Sequence, residues 1–371
     1  MANIAYPSRP ASYDKAVGLV LQGGGALGSY QAGVFEAIAG SAYRPDWIAG
    51  ISIGAINAAL IAGNPPDRQV AALRDFWETI TAPAAFWPGN WATFGGGQAG
   101  SLNALMFGQP GFFSPRSPGG WLFGSSPTSF YDTSALKTTL ERLVDFDRIN
   151  RGETRLSVGA VNVRTGDMVW FDSATMALRA EHIMASGALP PGFAPVEIDG
   201  ALYWDGGLVS NTPLQYVLDY VPRRSRLTFQ VDLFAPEGRA PTNLEEVNER
   251  DKDIRYSSRT RSATEAQRRT HDLRHTINGL LEQLPDALRS TPEARSLYEF
   301  GCVTTMDIVE LTYRPTETQG PSKGFEFSRE TMRARWAHGL ADARATLAAA
   351  PWLAPMPREI GARTFDMPAR S

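Results

Sequence analysis

The stretch that most constrains the fold is Val17–Val34, VGLVLQGGGALGSYQAGV. A short apolar run ends in consecutive glycines, and Ser29–Ala39 then carries Tyr30, Val34, Phe35 and Ile38 at helical spacing. An apolar run bounded by glycine fits a strand buried on both faces, as in a parallel sheet. A glycine turn leading into a helix aims several backbone N–H groups at one spot, at the positive end of the helix dipole. Such a turn is suited to holding negative charge. The arrangement repeats at once, with Trp47–Ile51 as a second strand and Ala55–Ala62 as a helix of small residues. Two strand–turn–helix units in succession predict an α/β fold.

Helical patterning continues near Val70–Thr81 and over Thr133–Val144. Leu156–Asn162 and Asp167–Phe171 read as strands joined by an Arg-Thr-Gly turn, followed by a helix at Ala180–Ser186. A strand pair spans Val196–Trp204, and Leu227–Leu233 is another buried strand. Residues 1–15 read as a tail, 16–242 as the α/β domain, and 243–371 as a charged, mainly helical extension packed on it. That extension holds one late strand, Met306–Tyr313, and an Arg/Ala-rich helix, Arg329–Ala349.

Residues 84–131 stand apart, being rich in Gly, Pro and Ser yet holding 11 of the chain's 38 aromatic residues. A loop that long is usually functional. Two readings stand: a surface loop that buries its aromatics, or a lid and acyl-chain wall. Between Ile254 and His275 six arginines face only Glu265 and Asp272. The run is either a solvated helix paired with nearby acids such as Glu245, Glu246 and Glu249, or a surface for anionic lipid headgroups. Ile277, Leu280, Leu281 and Leu284 then form an apolar stripe.

The net charge of −3 gives no nucleic-acid footprint. The single cysteine, Cys302, rules out an internal disulfide and a cysteine zinc site. The N-terminus has no apolar core of signal-peptide length, and no run approaches the ~18 apolar residues of a membrane span. A cytoplasmic, bacterial setting is expected, with contact at the inner-membrane surface left open.

The chemistry centres on Gly50-Ile51-Ser52-Ile53-Gly54, a G-x-S-x-G pattern set between strand and helix. The turn would expose Ser52 Oγ at the carboxyl edge of the sheet, with Gly50 and Gly54 permitting close packing. Otherwise Ser52 is simply a helix cap. A serine hydroxyl needs a base. Of the four histidines, His182 lies in a helix, His271 and His275 in the arginine-rich segment, and His338 in the last helix. None sits on a loop at the carboxyl end of the sheet. Tyr203-Trp204-Asp205-Gly206-Gly207 offers instead an aspartate where a strand meets a glycine turn, a position also common for a plain turn aspartate. Gly23-x-Gly25-x-x-Gly28 matches a dinucleotide fingerprint, but Asp46 precedes the second strand and so lies at the wrong end for a ribose. The remaining reading is an oxyanion site made by N–H groups near Gly24, Gly25 and Ala26.

GGGALG, GISIG and DGG, in this order and these contexts, resemble the patatin-like phospholipases. The likeness covers Ala16–Leu214. It implies a three-layer α/β/α sandwich with a mostly parallel central sheet, and acyl hydrolysis by a Ser–Asp dyad without histidine, metal or cofactor. By resemblance Ser52 is the nucleophile, Asp205 the base, and Gly23, Gly24, Gly25 and Gly28 shape the oxyanion hole, with Gly206 and Gly207 supporting the aspartate turn. Many members carry Arg or Lys where this chain has Leu27, which puts a preference for charged phospholipid in doubt. The expected partner is a lipid or acyl ester. The rival enzyme is a Ser-His esterase or thioesterase, and the rival from another class is a non-catalytic lipid-binding protein.

Overall fold

The computed structural model describes residues 8–82, 101, 104–116, 128–315, 319–357 and 360–367. Strand β1 (Ala16–Leu21), helix α1 (Ser29–Ala39), β2 (Trp47–Gly50) and α2 (Ile53–Ala62) reproduce the repeated unit expected from the sequence. Helices α3 (Gln69–Ile80), α4 (Ser134–Leu143) and α5 (Phe146–Asn150) lead to β3 (Arg155–Asn162) and β4 (Met168–Asp172). Then come α6 (Ala180–Ser186), β5 (Val196–Ile198), β6 (Ala201–Asp205), α7 (Leu214–Asp219) and β7 (Arg226–Asp232). Beyond residue 243 follow α8 (Leu244–Glu282), α9 (Asp286–Arg289), α10 (Pro292–Phe300), β8 (Met306–Thr312), α11 (Arg329–Ala349) and β9 (Ala362–Asp366).

The nine strands form one sheet in the order β9-β8-β7-β1-β2-β3-β6-β5, with β4 paired to β3 off this path. Pairing from β9 through β3 is parallel, while β4, β5 and β6 are antiparallel to their neighbours. The α/β fold with a mostly parallel sheet is therefore observed. Alternation along β1 makes the layers. Val17, Leu19 and Leu21 point into the larger core with α1 and α2, and Val20 joins Leu214, Val217 and Leu218 of α7 on the opposite face. Side chains of one strand covering both faces is the signature of a buried parallel sheet.

Residues past 243 complete the same sheet. Strand β8 pairs with β7 over Met306–Thr312, and β9 pairs with β8. Helix α11 crosses α1 at backbone contact: a methyl group on Gly33 would overlap the Trp336 carbonyl, and one on Gly339 would overlap the Tyr30 carbonyl. The apolar stripe expected at Ile277–Leu284 is broken, since Leu281 is buried and Leu280 is exposed. Five arginines of the basic run are paired, with Asp251, Glu237, Glu265, Asp272 and Asp219. None of these pairs involves Glu245, Glu246 or Glu249. Most of residues 84–131, the segment of the lid reading, lie outside the described residues. Phe112 and Phe113 are buried, whereas Leu105, Met106, Phe107 and Phe130 are exposed.

Candidate active site

Ser52 follows β2 and caps α2 at φ 57°, a backbone region that non-glycine residues rarely adopt. Two neighbours make that turn possible. A methyl group on Gly50 would overlap the Gly54 carbonyl, and one on Gly54 would overlap the Leu21 carbonyl of β1. The turn is held from below by Ser186, whose hydroxyl accepts from Ser52 N–H at 3.0 Å and donates to the Gly159 carbonyl at 2.7 Å. The serine itself is half-buried.

Asp205 arrives by register. Strand β4 pairs with β3 over Ser157–Val161, and so overlaps the β3 residues used by both β2 and β6. Strands β2 and β6 therefore share the other edge of β3. The first ends at Gly50 opposite Val158, and the second ends at Asp205 opposite Ala160. The carboxylate of Asp205 is 2% exposed and accepts from Gly207 N–H at 2.7 Å. Burial pushes its pKa up to about 6, against the lowering by the Gly207 N–H and the Ser52 hydroxyl that hydrogen-bond to it. A methyl group on Gly206 would lie 2.6 Å from the Gly159 carbonyl, so this glycine lets the aspartate turn pass close to β3.

The glycine turn stands beside the serine. A methyl group on Gly23 would come within 3.1 Å of Ser52 Cβ and 2.5 Å of Asn211 Oδ1. Gly23 donates its N–H to the Asn211 carbonyl and accepts from Asn211 Nδ2 at 2.9 Å. Its N–H is thus engaged by Asn211. Gly25 sits at φ 59° at the start of a 3₁₀ turn, Gly25–Gly28, that runs directly into α1. Among the described residues, the N–H groups of Gly24, Gly25 and Ala26 have no protein acceptor. Gly28 packs against Ile53 and Trp77 instead, and its carbonyl accepts from Asn57 in a buried network with Gln31 and Trp77. Leu27 is wholly buried in the core.

Ser52, Asp205, Gly23, Gly24, Gly25 and Gly207 line one cavity of about 100 Å³. Ala26, Gly28, Gly50, Gly54 and Gly206 shape the surrounding backbone without lining it. The walls are mainly apolar, with Ile53, Ile56, Phe112, Phe113, Leu189, Phe193 and Phe234. None of the four histidines borders the cavity. His182 is buried against Phe171 with Nδ1 accepting from Arg179 N–H, and His271 lies within 2.8 Å of the Thr304 carbonyl.

Three contributors were not visible as site residues in the sequence. Asn211 pins the glycine turn to the aspartate turn, and its place in Ser-Asn-Thr-Pro just after DGG was the available signal. Ser186 braces the serine turn and closes a helix already expected. Lys252, Tyr256, Gly324, Phe325 and Phe327, all from beyond residue 243, form one wall of the cavity. Nothing in a charged helix or in a Gly-Phe-Glu-Phe stretch announced that wall. Among the described residues, no group of His, Cys, Asp and Glu could hold a metal ion, and no helix is long and apolar enough to cross a membrane.

A family model described as patatin-like phospholipase matches residues 19–218, more than half of the chain, including Ser52, Asp205 and the glycine turn. The chain belongs to the patatin-like phospholipase family. A second model, described as patatin phospholipase, matches residues 254–359, which include Tyr256, Gly324, Phe325 and Phe327 of the cavity wall. Membership makes the protein a lipid hydrolase acting on ester bonds. No curated protein matches the chain. Among solved structures it is similar to VipD from Legionella pneumophila, with 16% identity, 91% of this chain and 67% of that chain covered, and a TM-score of 0.38. It is also similar to human GIVD cytosolic phospholipase A2, with 13% identity, coverages of 58% and 42%, and a TM-score of 0.33. For ExoU in the ExoU–SpcU complex of Pseudomonas aeruginosa the values are 17% identity, 79% and 59% covered, and 0.28. The chain thus spans from 42% to 67% of the lengths it matches.

Proposed function

We propose that this protein cleaves fatty-acyl esters of glycerolipids in the manner of a phospholipase A, with Ser52 as nucleophile and Asp205 as its base. The observation that carries the reading is the meeting of a half-buried serine at positive φ with a buried, hydrogen-bonded carboxylate beside unengaged glycine N–H groups. Asp205 takes the proton of Ser52 as its oxygen bonds to the ester carbonyl carbon. The carbonyl electrons move to oxygen, and Gly24 and Gly25, which line the cavity, hold that oxyanion with backbone N–H groups, with the Ala26 N–H next to them in the same turn. The intermediate collapses to the acyl-serine, and the leaving alcohol receives the proton from Asp205. Water then gives a proton to Asp205 as its oxygen bonds to the acyl carbon, the bond to Ser52 Oγ breaks with Oγ taking that proton back from Asp205, and fatty acid leaves. The apolar walls would accept the acyl chain, and the exposed Leu105, Met106, Phe107 and Phe130 favour contact at a membrane surface.

Fluorophosphonate labelling mapped by mass spectrometry tests the assignment on wild type, Ser52→Ala, Asp205→Asn and a variant lacking all four histidines. Labelling of Ser52 that needs Asp205 and survives loss of the histidines is the expected result. Labelling that vanishes with a histidine would replace the dyad by a Ser-His pair.

A further inference from the structure

The cavity wall built from beyond residue 243 carries one charged side chain. Lys252, on α8, lines the same cavity as Ser52 and Asp205. Its Nζ lies 3.6 Å from the position a methyl group on Gly324 would take, and the Gly24 carbonyl lies 3.4 Å from that same position. The ammonium therefore sits beside the glycine turn, across Gly324. Nearby carboxylates are already committed elsewhere. Lys323 takes Glu249 at 3.1 Å and Asp253 at 2.6 Å, and all three side chains are largely withdrawn from solvent. Among the described residues, Lys252 has no ion pair and no hydrogen bond, and its Nζ lies 6.0 Å from the centre of the Phe325 ring.

Burial together with the Lys323 charge holds its pKa below that of an ordinary lysine, and the fields of Asp253 and Glu249, both bonded to Lys323, offset this only in part. An anion delivered into the cavity would reverse both effects. Resting on the reading of this cavity as the acyl-ester site, we infer that Lys252 is a specificity residue that binds the phosphate ester of the substrate. The acyl chain lies against the apolar wall, the scissile ester stands at Ser52, and the phosphate meets Lys252. Lysine serves as a point-charge phosphate ligand, and this one comes from the segment that the catalytic motifs do not include.

The test compares water-soluble, monomeric substrates, so that surface charge plays no part. The ratio of kcat/KM for dihexanoyl-phosphatidylcholine over dihexanoylglycerol is measured for wild type, Lys252→Met and Lys252→Arg. We expect Lys252→Met to lower the ratio at least tenfold, mainly through KM, and Lys252→Arg to restore most of it. A ratio that stays within twofold of wild type overturns the inference. Two further measurements cover each other's weakness: the first needs no lysine variant, and the second needs no turnover. Wild-type protein should be inhibited by hexyl phosphate at least tenfold more strongly than by hexanol, and far more than by inorganic phosphate. Equal inhibition by hexanol removes the phosphate contact, and equal inhibition by inorganic phosphate assigns the ammonium to a free ion. Binding of the ether-linked phosphatidylcholine analogue to Ser52→Ala, with and without Lys252→Met, reads the same contact calorimetrically. If Ser52 resists fluorophosphonate while that binding contrast persists, the dyad assignment fails and the anion contact stands; the reverse pattern separates them the other way.

Discussion

Asp205→Asn should inactivate the protein and stabilise it. The carboxyl is moved from an ordinary value of 3.8 up to about 6 by burial. A shift of about two units corresponds to about 3 kcal/mol, at ~1.4 kcal/mol per unit. The sign follows from proton binding. Between pH 4 and 6 the folded state holds this proton more tightly than the unfolded state, so stability falls as pH rises through that window. Below pH 4 the carboxyl is neutral in both states and imposes nothing. Above pH 6 it is ionised in both, and the folded state bears the full penalty of a buried charge. Asparagine removes the charge, and its carbonyl oxygen can still accept from Gly207 N–H, so the turn survives. Urea unfolding of Asp205→Asn and wild type at pH 4 and pH 8 checks this. The variant should gain up to about 3 kcal/mol at pH 8 and little at pH 4. Activity should follow the same ionisation, since only the carboxylate can take the serine proton. At pH 5 kcat/KM should stand at about a tenth of its plateau, from a single group titrating near 6. Because carboxylate ionisation has little enthalpy and imidazole ionisation has much, warming should leave that acid limb almost in place. A variant less stable than wild type at pH 8, an acid limb near pH 4, or a limb that moves strongly with temperature would each refute the reasoning.

Gly25→Ala places a methyl group against the Gly324 carbonyl at φ 59° and should lower kcat by at least ~100-fold, the scale of a lost oxyanion donor. Steady-state kinetics at saturating ester read this, and a kcat within threefold of wild type would show that the glycine turn does not face the reacting oxygen. Lys323→Met leaves Glu249 and Asp253 without their cation and should cost about 3–5 kcal/mol of stability in urea unfolding. A loss below about 1 kcal/mol would mean that water already carries those charges. Gly339→Ala forces α11 away from the Tyr30 carbonyl and should destabilise by about 3 kcal/mol, the upper range for overpacking. A melting curve matching wild type would contradict the backbone contact between α1 and α11.

What the sequence revealed and what it hid divide along a physical line. Elements whose pattern is local were legible: α1 occupies the range that its apolar spacing predicts, α6 and α11 occupy the ranges read for them, and Ser52 and Asp205 stand at glycine-bounded strand ends where their turns place them. The partners of charged side chains were not legible, because pairing depends on what another element presents. The basic run of α8 is the clearest case. Its expected acids lie at the start of the same helix, yet Arg274 reaches Asp219 on α7 and Arg261 reaches Glu237 ahead of α8. Glu249, expected among the partners of the arginines, is instead fixed by Lys323 and by the Gly320 N–H at 2.8 Å. The cavity wall was hidden for the same reason. Phe325 and Phe327 look unremarkable in sequence, and they reach the site because α8 and α11 grip the segment between them: Arg335 bonds to the Lys323 and Glu326 carbonyls at 3.1 and 3.2 Å.

The meeting of Ser52 and Asp205 is of this second kind, and it rests on one strand. Two motifs can be read from glycines, but their approach depends on β2 and β6 sharing an edge of β3. If β6 slipped by one residue along β3, every side chain on it would change faces, and Asp205 would leave the cavity while Trp204 entered it. Gly159 and Ser186 oppose that slip. The Gly159 carbonyl lies where a methyl group on Gly206 would come within 2.6 Å, it accepts from Ser186, and Ser186 accepts from Ser52 N–H. A single chain of contacts therefore links the aspartate turn, the middle of β3 and the serine turn. Ser186→Ala removes the hydroxyl from that chain without adding bulk. It should leave the fold intact, lower kcat about tenfold, and slow fluorophosphonate labelling of Ser52 in the same proportion, because it acts through the position of the serine. Unchanged labelling with reduced kcat would locate the loss at a later step and argue against a positioning role for Ser186.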